Sequence, residues 1–486
     1  MHFDTPTSLC QVGIARGDIT PPVGIYHRMW GAAVHDRSTG VHRPLTATAM
    51  VLGPALQAGK PNSSRPAESD SLVLIAVDHC LLWGDEMADL LTKVATAGGV
   101  PRERLLVMFS HTHGAGLMGL ERAALPGGEI IAPYLAELAE KLAALVRQAI
   151  ADTTLAIITY GTGRCSLAAH RDLWDEDSGQ WVCGFHPQGP ADDTVMIGRV
   201  TDFTGHLRGV IVNYACHPTT LAWENTLISP DYVGALRETV AAATNAPVFF
   251  VQGASGDLGP RRGFSGDVRV ADSNGRQLAY SVLAALENLP PPCTRFEYQG
   301  PVVSGAVIGV WKDVPLAADA LRDKACWRHR FWTLPLAYRP GLPTPESLSA
   351  DRERHQREEA AARVAGDDAL ARRCRAKVEV ATRQLLRLSG IALDQPHPLP
   401  IHLWQIGDCL WVAVESEHYQ VLQTALRQRF PERALVVATI VNGSTHSYLP
   451  PREVYETGIY QDTVALFAAG SLERLIDEIA AEIAAW

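Results

Sequence analysis

Short apolar runs recur along this chain, and each stops at a histidine, an acidic residue or a glycine-rich turn. "SLVLIAVD" (71–78), "RLLVMFS" (104–110), "GVIVNYA" (209–215) and "APVFFVQ" (246–252) have the length and the β-branched or aromatic content of buried strands. Between them, residues 132–150 repeat Leu, Ala and Val at helical spacing. Residues 272–288 predict another helix, with Asp272 or Ser273 as its cap. Strands and helices alternate from about residue 10 to 310 and again from about 400 to 486, which predicts an α/β fold. The expected architecture is one large catalytic domain with mixed sheets flanked by helices. Residues 345–388 differ, being dense in charge and in good helix formers. Gly366 followed by Asp367 and Asp368 supplies a helix stop and then a cap, so a helical hairpin is expected within an insertion over about 318–390. We read it as two solvated helices packed on the domain. A lid or dimer contact is the sharper alternative, given the aromatic stretch "CWRHRFWTLPLAY" (326–338) just before it.

Charge and cysteine usage narrow the class. With 43 basic and 53 acidic residues the formal charge is −10, which argues against a nucleic-acid or anionic-membrane surface. No run of 18 apolar residues occurs, so no spanning helix is expected. The first residues, "MHFDTPTSLCQVGIARGDITPP", lack the basic and apolar regions of a secretory signal. Nine scattered cysteines without CxxC spacing fit reduced thiols, so the expected compartment is the cytoplasm.

The chemistry lies where the apolar runs end. "LLVMFSHTHGAGL" (105–117) carries His111 and His113; in an extended strand they share a face, about 6.7 Å apart. "VIVNYACHPTTL" (210–221) ends in His217, which Pro218 holds extended. In "LWVAVESEHYQ" (410–420), alternation sends Glu415 and Glu417 to one face. "LVVATIVNGSTHSYLPP" (435–451) opens into a polar loop with Tyr448, and "FFVQGASGDLGPR" (249–261) into a glycine-rich loop with Asp257. Each alone reads equally well as a strand-end residue of the core. Together they matter more, because α/β sheets place their sites at the carboxyl ends of strands. Two histidines and a carboxylate form a catalytic zinc set that leaves a position for water. The ensemble points to a metal hydrolase. No HxHxDH, HExxH, GxSxG, P-loop or dinucleotide fingerprint is present.

These segments, in this order, resemble the catalytic domain of the neutral/alkaline (non-lysosomal) ceramidase family. The blocks that carry the resemblance include "GIARGDITPP" (13–22), "FSHTHGAG" (109–116), "NYACHPTTL" (213–221), "QGASGDLGP" (252–260), "VESEHY" (414–419) and "SYLPPREVYETGIYQ" (447–461). It spans almost the whole chain, and the family's C-terminal immunoglobulin-like domain is expected to be absent. The resemblance implies one zinc per chain, held by His111, His217, Glu417 and Tyr448, with Glu415 as the fallback for Glu417. It further implies that His113 stands beside the zinc-bound water or the developing oxyanion. Tyr460 would hydrogen-bond in the reaction centre, and Arg171 would hold a substrate oxygen, a surface ion pair being its alternative. Asp193 and Asp231 would brace the fold.

One departure shapes the functional expectation. Where the family loop reads "GDVSP" with an active-site serine, this chain reads "GDLGP", with Gly259 in that place. The expected function is therefore a zinc-dependent hydrolase of an amide bond in a small molecule, ceramidase-like but not acting on ceramide. A zinc esterase or lactonase, a non-catalytic binding protein, and a serine hydrolase using Ser255 are the alternatives. A homo-oligomer stays open.

Overall fold

The computed structural model describes residues 1–55, 71–444 and 446–486. The predicted strands are present, and they explain why the runs are apolar throughout rather than alternating. Eight strands form one mixed sheet: β1 (Thr7–Asp18), β2 (Thr46–Pro54), β3 (Leu72–Val77), β4 (Leu105–Phe109), β5 (Thr154–Arg164), β6 (Thr194–Thr201), β7 (Leu207–Tyr214) and β8 (Val248–Gln252). Their order is β8-β7-β6-β5-β1-β2-β3-β4. The centre is antiparallel, while β3 with β4 and β7 with β8 run parallel at the two edges. Both faces are covered. Leu105, Val107 and Phe109 pack under α1 (Gly84–Gly98) and α2 (Ile131–Ala151), while Leu106 and Met108 face the opposite way. α3 (Tyr232–Thr244) and α4 (Val268–Glu287) cover the other half of that helical face.

The opposite face packs on a second sheet of β9 (Trp327–Leu336), β10 (His397–Ile406), β11 (Cys409–Val414) and β12 (Ala434–Ala438), in that order. Trp404, Trp411 and Val436 interdigitate there with Leu74, Met108 and Phe249 of the first sheet. Between β9 and β10 the chain forms the hairpin α5 (Pro345–Val364) and α6 (Asp368–Leu388). α7 (Val421–Arg429) and α8 (Ser471–Ala484) cover the outer face of the second sheet. The result is a four-layer helix–sheet–sheet–helix sandwich, an α/β fold with mixed sheets flanked by helices.

Two expectations need correction. The helix expected over 272–288 begins four residues earlier, at Val268, because the Asp267 side chain accepts from Arg269 N. Asp272 instead faces Arg43 and His42, at 2.8 and 3.1 Å. The helical insertion is also narrower than 318–390: Trp327–Leu336 is a strand, paired along its length with β10. The aromatic stretch that lent support to a lid or dimer contact for the hairpin is therefore a strand on a sheet edge. The hairpin turn itself follows the expectation, with Gly366 at a φ of 73° and the Asp367 side chain accepting from Leu370 N.

Candidate metal centre

The carboxyl ends of β4, β7, β11 and β12 lead to His111, His217, Glu417 and Tyr448, and these four side chains meet. His111 Nε2 lies 3.1 Å from His217 Nε2 and 3.2 Å from Glu417 Oε2. His217 Nε2 is 3.1 Å from the same carboxylate oxygen and 3.2 Å from the Tyr448 hydroxyl. All four residues are buried. Glu417 and Tyr448 are brought together by the backbone, as direct partners in a two-residue parallel ladder, with Glu417 N donating to Ser447 O.

The tautomers are fixed by groups that can only accept. His111 Nδ1 donates to the Cys80 carbonyl at 2.8 Å, and His217 Nδ1 to the Ser255 carbonyl at 2.7 Å. Both Nε2 atoms therefore point at the common centre, with the second-sphere orientation of metal-binding imidazoles. Burial would lower His111, but Cys80 and Glu417 outweigh it and hold it well above its ordinary value, so a metal ligated there would displace a proton. In a tetrahedral zinc set with bonds near 2.0–2.1 Å, donor atoms lie about 3.3 Å apart. The separations of 3.1–3.2 Å match that edge length. Burial would raise the Glu417 carboxyl, but His111 and His217 outweigh it and hold the group well below the usual range. Burial, reinforced by Arg171, brings His217 down to about 3, so its imidazole is neutral and free to ligate.

His111 and Glu417 reach this centre by a route that strand alternation does not describe. β4 ends at Phe109, and His111 adopts a φ of 67°. His113 then follows in a turn, its ring perpendicular to that of His111 with centroids 5.0 Å apart. The shared face expected from an extended HxH is replaced by a bend that delivers both rings to one cavity. Likewise, Ser416 has a φ of 74°, so Glu415 and Glu417 part company. Glu415 Oε1 lies 3.0 Å from both His397 Nε2 and His446 Nδ1, in a separate, partly buried cluster. Glu417, not Glu415, faces His111 and His217.

His113, Arg171 and Tyr460 line, with the donor Tyr448, a cavity of about 370 Å³. His113 lines it with neither ring nitrogen hydrogen-bonded, and Trp30 lies 5.2 Å from its ring. Tyr460 also lines it; its ring is 5.8 Å from that of Tyr448, and it is 44% exposed. Arg171 is only 5% exposed, which excludes the surface ion pair. Its guanidinium donates to Gly256 O at 2.7 Å and to the Tyr448 hydroxyl at 3.0 Å. Gly259 lies in a short strand against Ala168–His170, and a Cβ there would meet nothing closer than Arg171 and Thr219 at 3.8 Å.

Asp257 braces the fold instead, accepting from Gln420 N and Nε2 at 2.7 and 2.6 Å, while burial raises its carboxyl to about 6. Asp231 caps α3, and Asp193 pairs with Arg164. Ser255 is turned away from the cavity, on the Nδ1 side of His217, where its hydroxyl accepts from Gln252 Nε2. A larger cavity of about 690 Å³ is lined by His170, Asp172, Asp257 and Tyr419 and by none of the four donors.

Several residues of the site escaped the sequence reading. Cys80 follows β3 and could have been found by the same strand-end rule; its Sγ lies 3.5 Å from His111 Nδ1. Trp30 lies in a loop without pattern. The hairpin is the larger surprise. Ala376, Glu379, Val380, Arg383 and Arg387 of α6 line the same cavity, so this helix is a wall of the site and not merely a solvated appendage. Their spacing of three and four residues is a helical stripe. It is obscured in sequence by charge on every face.

No family model and no curated protein matches this chain. Among solved structures it is similar to neutral ceramidase from Pseudomonas aeruginosa, with a TM-score of 0.63 and 16% identity over 98% of this chain and 74% of that one. It is equally similar to a ceramidase complexed with C2, with a TM-score of 0.62 and 16% identity over 98% and 75% of the two chains. The chain has a neutral ceramidase-like fold.

Proposed function

We propose that this protein is a zinc-dependent hydrolase that cleaves the amide bond of a small molecule other than ceramide. The observation that carries the reading is the convergence of two oriented imidazoles, one carboxylate and one phenol on a point beside a cavity. Nitrogen and oxygen donors at this spacing suit zinc. His111, His217 and Glu417, with the Tyr448 phenol, would hold one ion per chain. Bound there, zinc supplies Lewis-acid polarisation of a carbonyl and lowers the pKa of a water molecule.

The chain's own groups supply the rest. Cys80 and Ser255 carbonyls hold the two imidazoles in the ligating tautomer. His113, with two unpartnered ring nitrogens on the cavity, can donate to a developing oxyanion and carry the proton to the departing amine. Arg171 fixes the Tyr448 hydroxyl, and Tyr460 stands at the mouth to orient the acyl group. Trp30 and Phe264 wall the cavity with apolar surface and exclude water. Gly259 supplies no hydroxyl where the resembling family carries a serine, which supports a substrate without ceramide's primary alcohol. All nine cysteines are free, which supports a reducing, cytoplasmic setting. Among the described residues no helix is long and apolar enough to cross a membrane.

The test is elemental analysis of untagged protein, followed by a panel of amides and esters. One zinc per chain, lost together with turnover in His111→Ala and His217→Ala, supports the reading. Hydrolysis of esters alone would redirect it to an esterase, and bound zinc without turnover to a binding protein.

A further inference from the structure

The wall that α6 presents to the cavity carries more positive charge than the protein neutralises. Glu379 accepts from Arg122 at 2.7 Å and from Arg383 Nε at 2.9 Å, and Arg122 also pairs with Glu121, so two carboxylates are taken up by Arg122 and Arg383 and none is left for a third guanidinium. Arg387, one turn further on, has no carboxylate partner among the described residues, and its Nε is buried without a hydrogen bond. Arg387 is only 7% exposed. It lines the cavity together with Arg383, His113, Tyr448 and Tyr460. Two features offset part of its burial: the carbonyl end of α6, and the face of Trp83, 5.9 Å away. Neither is a counter-ion. A buried, unpaired charge is costly enough that folds rarely keep one without a partner.

Resting on the amide-hydrolase reading above, we propose that the substrate is itself anionic. Its carboxylate, sulfonate or phosphate would be received by Arg387, with Arg383 beside it, while its apolar part lies against Met29, Trp30 and Phe264. The planar guanidinium fork suits two-oxygen anions. The i, i+4 spacing of the two arginines puts both on one face of α6. The neighbourhood of His111 and Glu417, which share a lining with Arg383 and Arg387, places the anion next to the scissile bond rather than at a remote surface. The substrate class is therefore an amide of an amphipathic acid.

Two measurements on zinc-loaded full-length protein test this. The first is calorimetric binding of hexanesulfonate, a poor metal ligand, against hexanol. Sulfonate is expected to bind in preference to the alcohol and to weaken ~10–100-fold in Arg387→Gln, the range of a charge-assisted hydrogen-bonded contact. Arg387→Lys should fall between. Arg387→Met keeps the stem over Trp83 and, with unchanged zinc content, controls for folding. Equal binding of sulfonate and hexanol, or sulfonate binding indifferent to Arg387→Gln, overturns the proposal. The second is turnover of N-hexanoylglycine against N-hexanoylglycinamide, and of glutaryl anilide against pentanoyl anilide. At least one acidic member should be preferred, and that preference should fall in Arg387→Gln by the same factor. A preference for both neutral members overturns the anionic substrate while leaving the amide reading intact. No turnover of any member, with sulfonate binding still dependent on Arg387, supports the anion site and overturns the amide reading instead.

Discussion

Exchanging each glutamate of "VESEHY" for glutamine separates the two clusters that Ser416 divides. Among the described residues, Glu417 Oε2 is the one anionic oxygen within 3.1–3.2 Å of both His111 Nε2 and His217 Nε2. Changing merely an outer partner of a metal ligand usually weakens binding ~10–100-fold. Removing the charged ligand itself should therefore weaken zinc binding by ~100-fold or more. At zinc held 100 times above the wild-type dissociation constant, the metal adds ~2.7 kcal/mol to stability. In Glu417→Gln the same zinc concentration would then equal the dissociation constant, and the gain falls to ~0.4 kcal/mol.

Glu415→Gln should behave oppositely. Burial would raise this carboxyl, yet the hydrogen bond from His397 and the nearby His446 imidazole hold it at about 2. The amide keeps one acceptor but loses the charge, which should lower stability by ~1.5–3 kcal/mol with or without metal. Its zinc-dependent gain should remain. The assay is thermal unfolding of each variant with and without zinc, alongside metal content. A zinc-dependent gain that survives in Glu417→Gln and vanishes in Glu415→Gln would refute the assignment. Survival in both would place the metal elsewhere.

Further outcomes follow from the same geometry. Arg171→Met removes the donor to Tyr448 and Gly256 O, so activity or zinc affinity should fall ~10–100-fold, and Arg171→Lys should not restore it because the fork is lost. Gly259→Ser should fold normally, its melting point within ~2–4 °C of wild type, because the added Cβ meets its nearest neighbours at 3.8 Å. A larger drop would show that the loop excludes a side chain. His79 is fully buried and brought down from 6.5 to about 4 by desolvation. A depressed histidine contributes stability that is present above its unfolded value and lost as pH falls from ~6.5 towards about 4, by up to ~1.4 kcal/mol per pH unit. Unfolding measured across that window should show a slope reduced by that amount in His79→Gln; an unchanged slope would mean the group titrates normally.

What the sequence made legible was the set of strand ends. β3, β4, β7 and β8 carry apolar residues on both faces, because one face meets helices and the other a second sheet. Such runs are conspicuous, and their first polar residues stand out. Illegible was everything that depends on a bend or on distant chain. Alternation assigned Glu415 and Glu417 to one face, whereas the positive φ of Ser416 sends them to different clusters. Asp272 looked like a cap because its long-range partners, Arg43 and His42, cannot be seen locally. Arg383 and Arg387 looked like solvated charge on a helix of low apolar content, since only tertiary packing decides which stripe of α6 meets the cavity.

The bends are themselves informative. His111, Ser416 and Ser447 all adopt positive φ, at 67°, 74° and 61°, and each is a donor residue or directly precedes one. For residues with a side chain such conformations cost of order 1–3 kcal/mol each and persist only where the surroundings enforce them. Regular strands would have delivered these side chains at fixed alternate positions; the bends instead let three of the four segments bring their donors to the point that His217 already faces. The enforcement comes from the fold: His111 N is held by the His79 carbonyl, Glu417 N by the Ser447 carbonyl, and Ser447 N by Ser444 O. Glycine would relax each bend more cheaply, yet at Ser416 and Ser447 it would also free the segment to move. The same logic extends to α6. A guanidinium without a counter-ion and backbone bends without glycine are two forms of local instability, and both border the same cavity. On the proposed reading, a site with pre-set donors and an unmatched positive charge would gain its missing interactions from a metal ion and an anionic substrate that arrive from solution.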